Sequence, residues 1–238
     1  MYDIIKKEFA KIIKENGLEA EEMVIKAAAL SAEEAIGNPE DKDYPIITGR
    51  EKIMQAEFRG CIGQAFTDMY GNYSGKLSDI VDMELKNNYR RAIFISSLNA
   101  VMRYLGLINK TSHCKNDEPP KCSRELVKYV ESNYGNPKIA FVGFQPRMIQ
   151  ALSEKFELRV TDLDEENIGK EKFGVMVEGP ERAQQNLKWC DLALVTGTTA
   201  TNNTIDQFID FKPVVFYGVT ISGVAKLLGL NCFCDCGH

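Results

Sequence analysis

The sequence predicts an α/β protein: an α+β front half followed by a Rossmann-like, doubly wound and mostly parallel sheet. Three observations predict it. Helix-periodic segments lead into a glycine-punctuated, β-branched stretch; composition changes abruptly near residues 107–121; and short apolar runs then alternate with helical or turn-like segments, the rhythm of βαβ units.

Ile5, Phe9, Ile12 and Ile13 recur at helical spacing until Gly17 breaks the run. A second helix is expected over residues 18–35, carrying Met23, Ile25 and an alanine-rich stretch. Between Tyr44 and Asp68, "IITGREKIMQAEFRGCIGQAFTD" mixes β-branched and aromatic residues with glycines, which predicts two or three short antiparallel strands. A pair of helices follows. The second, over residues 88–105, is apolar on nearly every side and so buried, and Asn99 within it needs a partner there. In "INKTSHCKNDEPPKCS" two adjacent prolines follow a charged run, which predicts a linker over 108–121 between domains 1–107 and 122–238. Parallel strands are then expected at 138–143, 158–161, 175–177, 191–195 and 213–217.

With 238 residues and 44% hydrophobic content, the chain can bury a core without a disulfide or metal staple. A net charge of −5 argues against a broad nucleic-acid or anionic-membrane surface. The start, "MYDIIKKEFAKIIKENG", is charged and helix-periodic where a signal peptide needs an apolar stretch, and no run approaches the roughly 20 apolar residues of a membrane span. A cytoplasmic location is expected, with no nucleic-acid or membrane partner; a homo-oligomer is left open. There, seven cysteines read as reduced thiols.

A doubly wound sheet binds ligands at the carboxyl ends of its strands. Three of those ends carry a glycine followed by small or polar residues: "VGFQP" at Gly143, "VTGTTATNNT" at Gly197 and "FYGVTISG" at Gly218. The candidate contacts for a small anionic ligand or nucleotide are Gly143, Asp162, Gly197, Thr198, Thr199, Asn202, Gly218 and Thr220. Neither G-x-G-x-x-G nor a P-loop is present, and an ordinary βα turn favours glycine equally. Asp162 and Asp164 close the second strand where a dinucleotide fold holds a ribose hydroxyl, or they cap the next turn. With only two histidines and no G-x-S-x-G or H-E-x-x-H, no catalytic constellation can be assembled, and enzymatic activity is left open.

Both histidines lie beside cysteines. His113 precedes Cys114 in a segment that also supplies Cys122, and "NCFCDCGH" places Cys232, Cys234, Cys236 and His238 in alternation at the chain end. Thiolate and imidazole are ligands of Zn and of softer transition metals, so a metal ion of the Zn, Ni or Co class is the expected cofactor. Alternate side chains of a strand stand about 6.5–7 Å apart, too far for one tetrahedral ion, so the tail must curl to ligate, as Gly237 permits. Asp117 and Glu118 are better read as a solvated acidic stretch. Cys61 and Cys190 read as core thiols.

Taken together, "GCIGQAFTD", "GNYSGKLSDIV", "NNYRRAIFISSLNAVMRYLG", "SHCKNDEPPKC", "VTDLDEENIG", "LVTGTTATNNTID" and "VVFYGVTISGVAKLLGL" resemble a family of biochemically uncharacterised prokaryotic proteins described as heavy-metal chelation proteins. The resemblance runs from about Cys61 to Leu230. It implies an enolase-N-terminal-like domain before the Rossmann-like one, and carries no catalytic residue over. Asn203 stands where the family usually has glycine, and asparagine tolerates the left-handed backbone such a turn needs.

Overall fold

The computed structural model describes residues 1–26, 31–49, 51–211 and 213–238. Its front half comprises α1 (Tyr2–Glu15), β1 (Glu22–Lys26), α2 (Ala32–Ile36), α3 (Pro45–Thr48), β2 (Lys52–Phe58), β3 (Cys61–Thr67), β4 (Tyr73–Lys76), α4 (Leu77–Asp82) and α5 (Asn88–Tyr104). The back half continues with α6 (Glu118–Tyr134), β5 (Ile139–Val142), α7 (Pro146–Ser153), β6 (Leu158–Thr161), β7 (Glu171–Lys172), β8 (Val175–Glu178), α8 (Ala183–Trp189), β9 (Leu192–Thr196), α9 (Thr198–Thr201), β10 (Val214–Tyr217), α10 (Ser222–Leu228) and β11 (Cys232–Phe233). Among the described residues no helix is long and apolar enough to cross a membrane.

The first sheet has the order β3-β2-β1-β4 and is antiparallel throughout. The helix expected over 18–35 does not form as read. Residues 22–26 instead make β1, paired on one side with β2 and on the other with β4, so tertiary partners for the backbone override helical periodicity. The alanine-rich run at 27–30 lies outside the described residues. Ser31 and Glu34 then form a capping box that starts α2.

Helix α1 buries Ile5, Phe9 and Ile13 on one face, and Phe9 meets Phe94 edge-on at 5.6 Å. Helix α5 is buried from Arg91 through Met102, as expected of a helix with apolar residues on nearly every side. Gly63 of β3 shows how closely sheet and helix approach. A Cβ there would lie 2.2 Å from both the Ala100 nitrogen and the Ser96 oxygen.

The second sheet runs β11-β10-β9-β5-β6-β8-β7, parallel except for β7. Counted in chain order, its six parallel strands lie in the sequence 3-2-1-4-5-6, with the reversal between β5 and β9. Side chains alternate across it. Leu192, Leu194 and Val215 pack with Leu126 and Ile149 of α6 and α7, whereas Ala193, Val195 and Phe216 share one core with α1, α5 and α10. The front half therefore supplies part of the helical cover of the second sheet.

Asn99 joins the halves at this seam. Fully buried, it donates through Nδ2 to the Gln64 carbonyl (3.0 Å) and the Val219 carbonyl (3.2 Å), and its Oδ1 accepts from the Gly223 N–H (2.8 Å). The free edge of β3 is covered from the back half: the Phe66 N–H donates to Thr220 Oγ1 (3.0 Å), and Thr201 Oγ1 donates to the Phe66 carbonyl (2.8 Å). The two prolines read as linker stand in the first turn of α6, where proline's missing N–H and fixed φ start a helix.

Candidate ligand and metal site

A cleft of about 220 Å³ opens at the carboxyl ends of β5, β6, β9 and β10, astride the point where strand order reverses. All eight residues read as ligand contacts line it: Gly143, Asp162, Gly197, Thr198, Thr199 and Asn202, with Gly218 and Thr220. His113, Cys114, Cys122 and Cys234 line the same cleft. The glycine-rich rim and part of the thiol set, read from sequence as separate features, thus share one space.

Several rim residues serve the fold directly. Gly143 has φ +96°, and a Cβ there would meet Thr196 Cγ2 at 2.8 Å and Tyr217 Oη at 3.0 Å. A Cβ on Gly197 would lie 2.8 Å from the Ile221 nitrogen. The Thr199 hydroxyl donates to the Thr196 carbonyl (2.7 Å), and Thr220 is committed to Phe66. Asn203 adopts φ 58°, the left-handed conformation expected of it. At the start of α7 the Gln145 side chain accepts from the Met148 N–H (2.6 Å) and Pro146 has no N–H to offer, so this helix end is already capped.

The charge in the cleft is negative. Glu51, Asp162 and Asp164 line it, and no lysine or arginine does among the described residues. Arg147 of α7 is held instead by Asp41 (3.1 Å) and Asp43 (2.6 Å). Asp162 accepts from the backbone N–H groups of Leu163 and Asp164 and from Asn167 Nδ2, while Asp164 accepts from the Glu166 N–H, so both carboxylates do cap their own turn. Even so, burial raises the Asp162 carboxyl above its ordinary range. Glu51, just before β2, carries no motif and escapes sequence reading.

Burial, reinforced by Asp162, Asp68 and Asp164, pushes Glu51 up to about 7. The folded chain then holds a proton that the unfolded chain releases above the ordinary carboxylate range. Stability falls as pH rises through that window and carries the full penalty above about pH 7. Glu51→Gln is expected to melt higher than the unsubstituted protein at about pH 8, by the equivalent of up to ~3 kcal/mol, with the gap closing near pH 4. A gap that stays constant with pH would assign the gain to something other than charge.

The thiols meet because the tail folds back. The His238 carbonyl accepts from the Thr111 N–H (2.8 Å) and the Ser112 N–H (2.7 Å), the His238 N–H donates to the Ser112 carbonyl (2.9 Å), and β11 adds to the edge of β10. Burial raises the thiols of Cys114, Cys234 and Cys236, and each lies close enough to Cys122 for that sulfur to add to the rise. Cys234 is pushed up to about 12 and Cys236 to about 11. These thiols are protonated at neutral pH and are not activated nucleophiles. Gly237 packs on the cluster: a Cβ there would stand 2.6 Å from Cys234 Sγ.

His113 is neutral, lowered to about 4 by burial, and its Nδ1–H donates to the Cys114 carbonyl (2.7 Å), which leaves the Nε2 lone pair available as a donor. His238 Nε2 is paired with Glu118 Oε2 at 2.9 Å, so Glu118 takes part in holding the tail. Cys232 is exposed at the start of β11. Cys61 and Cys190, read as core thiols, are only half-buried, Cys61 at the hairpin end of β3 and Cys190 just after α8. Four thiols and a neutral imidazole are a donor set that fits a soft or borderline cation. Among the described residues no three His, Cys, Asp or Glu side chains already converge on one ion position.

Residues 126–230 match the DUF364 family, described as "Putative heavy-metal chelation", which is the family the motifs resemble. Two solved structures share the mixed α/β fold. One is a DUF364 protein of unknown function from Pyrococcus horikoshii, 17% identical, covering 92% of this chain and 79% of its own, with a TM-score of 0.56. Another, from Desulfitobacterium hafniense, is 13% identical, covering 96% and 82%, with a TM-score of 0.54. No curated protein matches the sequence. The matched segment contains the rim and Cys190 but neither histidine, and Cys114, Cys122 and the cysteines of the tail lie outside it.

Proposed function

We propose that the protein binds a transition or heavy-metal cation through the thiols of Cys114, Cys122, Cys234 and Cys236, with His113 Nε2 as a further donor. The observation that carries this reading is the return of the chain end onto Thr111 and Ser112, which gathers cysteines 112 or more residues apart in sequence. Thiols are the ligands that select soft cations, and the carboxylates of the cleft add a negative field that favours any cation. The tail is anchored by Phe233 against Tyr129, by Lys110 Nζ donating to the Asp235 carbonyl and by the His238–Glu118 pair, and it carries the thiols that would complete the coordination sphere. Loading displaces the thiol protons, so it is accompanied by proton release.

An anionic ligand at the rim is not favoured: among the described residues no lysine or arginine lines the cleft, and the α7 N-terminus is capped. Protein purified without oxygen or chelators is expected to carry, or to take up from Zn, Ni or Co, about one equivalent of metal by elemental analysis. The variant with Cys114, Cys122, Cys234 and Cys236 all replaced by serine should bind none tightly. Unchanged stoichiometry in that variant sinks the reading.

A further inference from the structure

We infer that the carboxylate end of the cleft is a site for the ammonium group of a small organic cation. Its acceptors are the carboxylates of Glu51, Asp162 and Asp164, drawn from both halves of the chain and facing one space that no lysine or arginine lines among the described residues. Three features separate this site from a bare-ion site.

The carboxylates do not converge: among the described residues no three acidic or metal-ligating side chains share an ion position. Asp162 and Asp164 are also pinned by N–H groups of their own turn and cannot swing together. Spread acceptors suit a ligand that spreads its donors, as an ammonium carries three N–H bonds in different directions.

Tyr44 supplies an independent sign. It is only 4% exposed and lines the cleft, yet its hydroxyl is buried with no hydrogen-bond partner among the described residues. A buried hydroxyl left unpaired costs free energy that a polar ligand recovers. Tyr44 begins the turn through Pro45 and Gly49 that packs on Asp164, where a Cβ on Gly49 would stand 3.5 Å from Asp164 Oδ2. The same phenol is close enough to Cys114 to be perturbed by it, so this short segment borders both the carboxylates and the thiols.

The walls are apolar. Phe144, Met148, Phe208 and Val219 line the cleft, and 220 Å³ is far more than the roughly 10–15 Å³ that admits one water. It lies below the usual range for drug-sized ligands, about 300–1,000 Å³, so the hydrocarbon part is short. Burial and, after it, the neighbouring carboxylates disfavour the charged form of Glu51, and a cation seated beside it offsets both.

This site uses the carboxylates rather than the thiols, so it stands or falls apart from the metal reading. The test is calorimetric titration of reduced, metal-free protein with n-butylamine and 1,4-diaminobutane, against 1-butanol and butyrate as controls. Saturable binding of an amine is expected at millimolar concentration or below, and of neither control. Glu51→Gln should weaken it about tenfold, Tyr44→Phe by a smaller factor, and the fourfold Cys→Ser variant should leave it intact. No saturable binding of either amine, equal affinity in a folded Glu51→Gln variant, or tighter binding of butyrate would each overturn the inference. Loss of metal binding with retained amine binding, or the reverse, tells the two readings apart.

Discussion

Gly63→Ala is expected to destabilise the protein by about 3 kcal/mol or more, because the added methyl meets backbone rather than a side chain that can rotate away. The Ala100 nitrogen and the Ser96 oxygen, both 2.2 Å from the new Cβ, belong to α5, which is packed on all sides. To make room, either β3 must lift off the helix or the helix must shift within a core that includes Phe94, Leu98 and Phe216. Denaturant unfolding reads this as a lower midpoint. Gly60→Ala, at the neighbouring hairpin, is the contrast: there a Cβ meets nothing within 4 Å, but φ is +80°, so its cost is the smaller one of left-handed strain, about 1 kcal/mol. Equal costs at the two positions would mean that close approach is not what selects Gly63.

Asn99→Leu is expected to cost about 2–5 kcal/mol although the side chains are nearly equal in volume. Leucine leaves the Gly223 N–H and the Gln64 carbonyl buried and unpaired, at about 1–3 kcal/mol each. Because one partner belongs to β3 and the other to α10, the loss falls on the seam between the halves. The unfolding transition should broaden or split as the halves uncouple. A single sharp transition with a cost under about 1 kcal/mol would show that the seam is held by apolar packing alone.

What the sequence could reveal followed the range of the forces involved. The strands of the second sheet are short apolar runs buried on both faces, and those read at 138–143, 158–161 and 213–217 enclose the observed β5, β6 and β10. The buried character of α5 and the need of Asn99 for partners were legible too, since both depend only on local composition. Strand β1 was not. Its segment keeps helical spacing, and the strand exists because β2 and β4 flank it, partners that lie up to 54 residues away. The cleft could be placed by topology once a parallel sheet was read, but Glu51 and Tyr44 could not, because they reach it from the other half of the chain and repeat no pattern. The return of the tail was not legible either, because the backbone hydrogen bonds that fix it to Thr111 and Ser112 carry no side-chain signature.

The shared core also bears on what counts as a module. Residues 126–230 are the stretch a family model recognises, yet Ala193, Val195, Phe216 and Val224 within it find their cover in α1 and α5. Excised at those borders, the segment would present that face to water as a contiguous apolar surface and is expected to aggregate. The recognisable unit is thus smaller than the heritable one: recombination that moved this segment between genes would have to carry α5 with it, or supply another helix of the same shape.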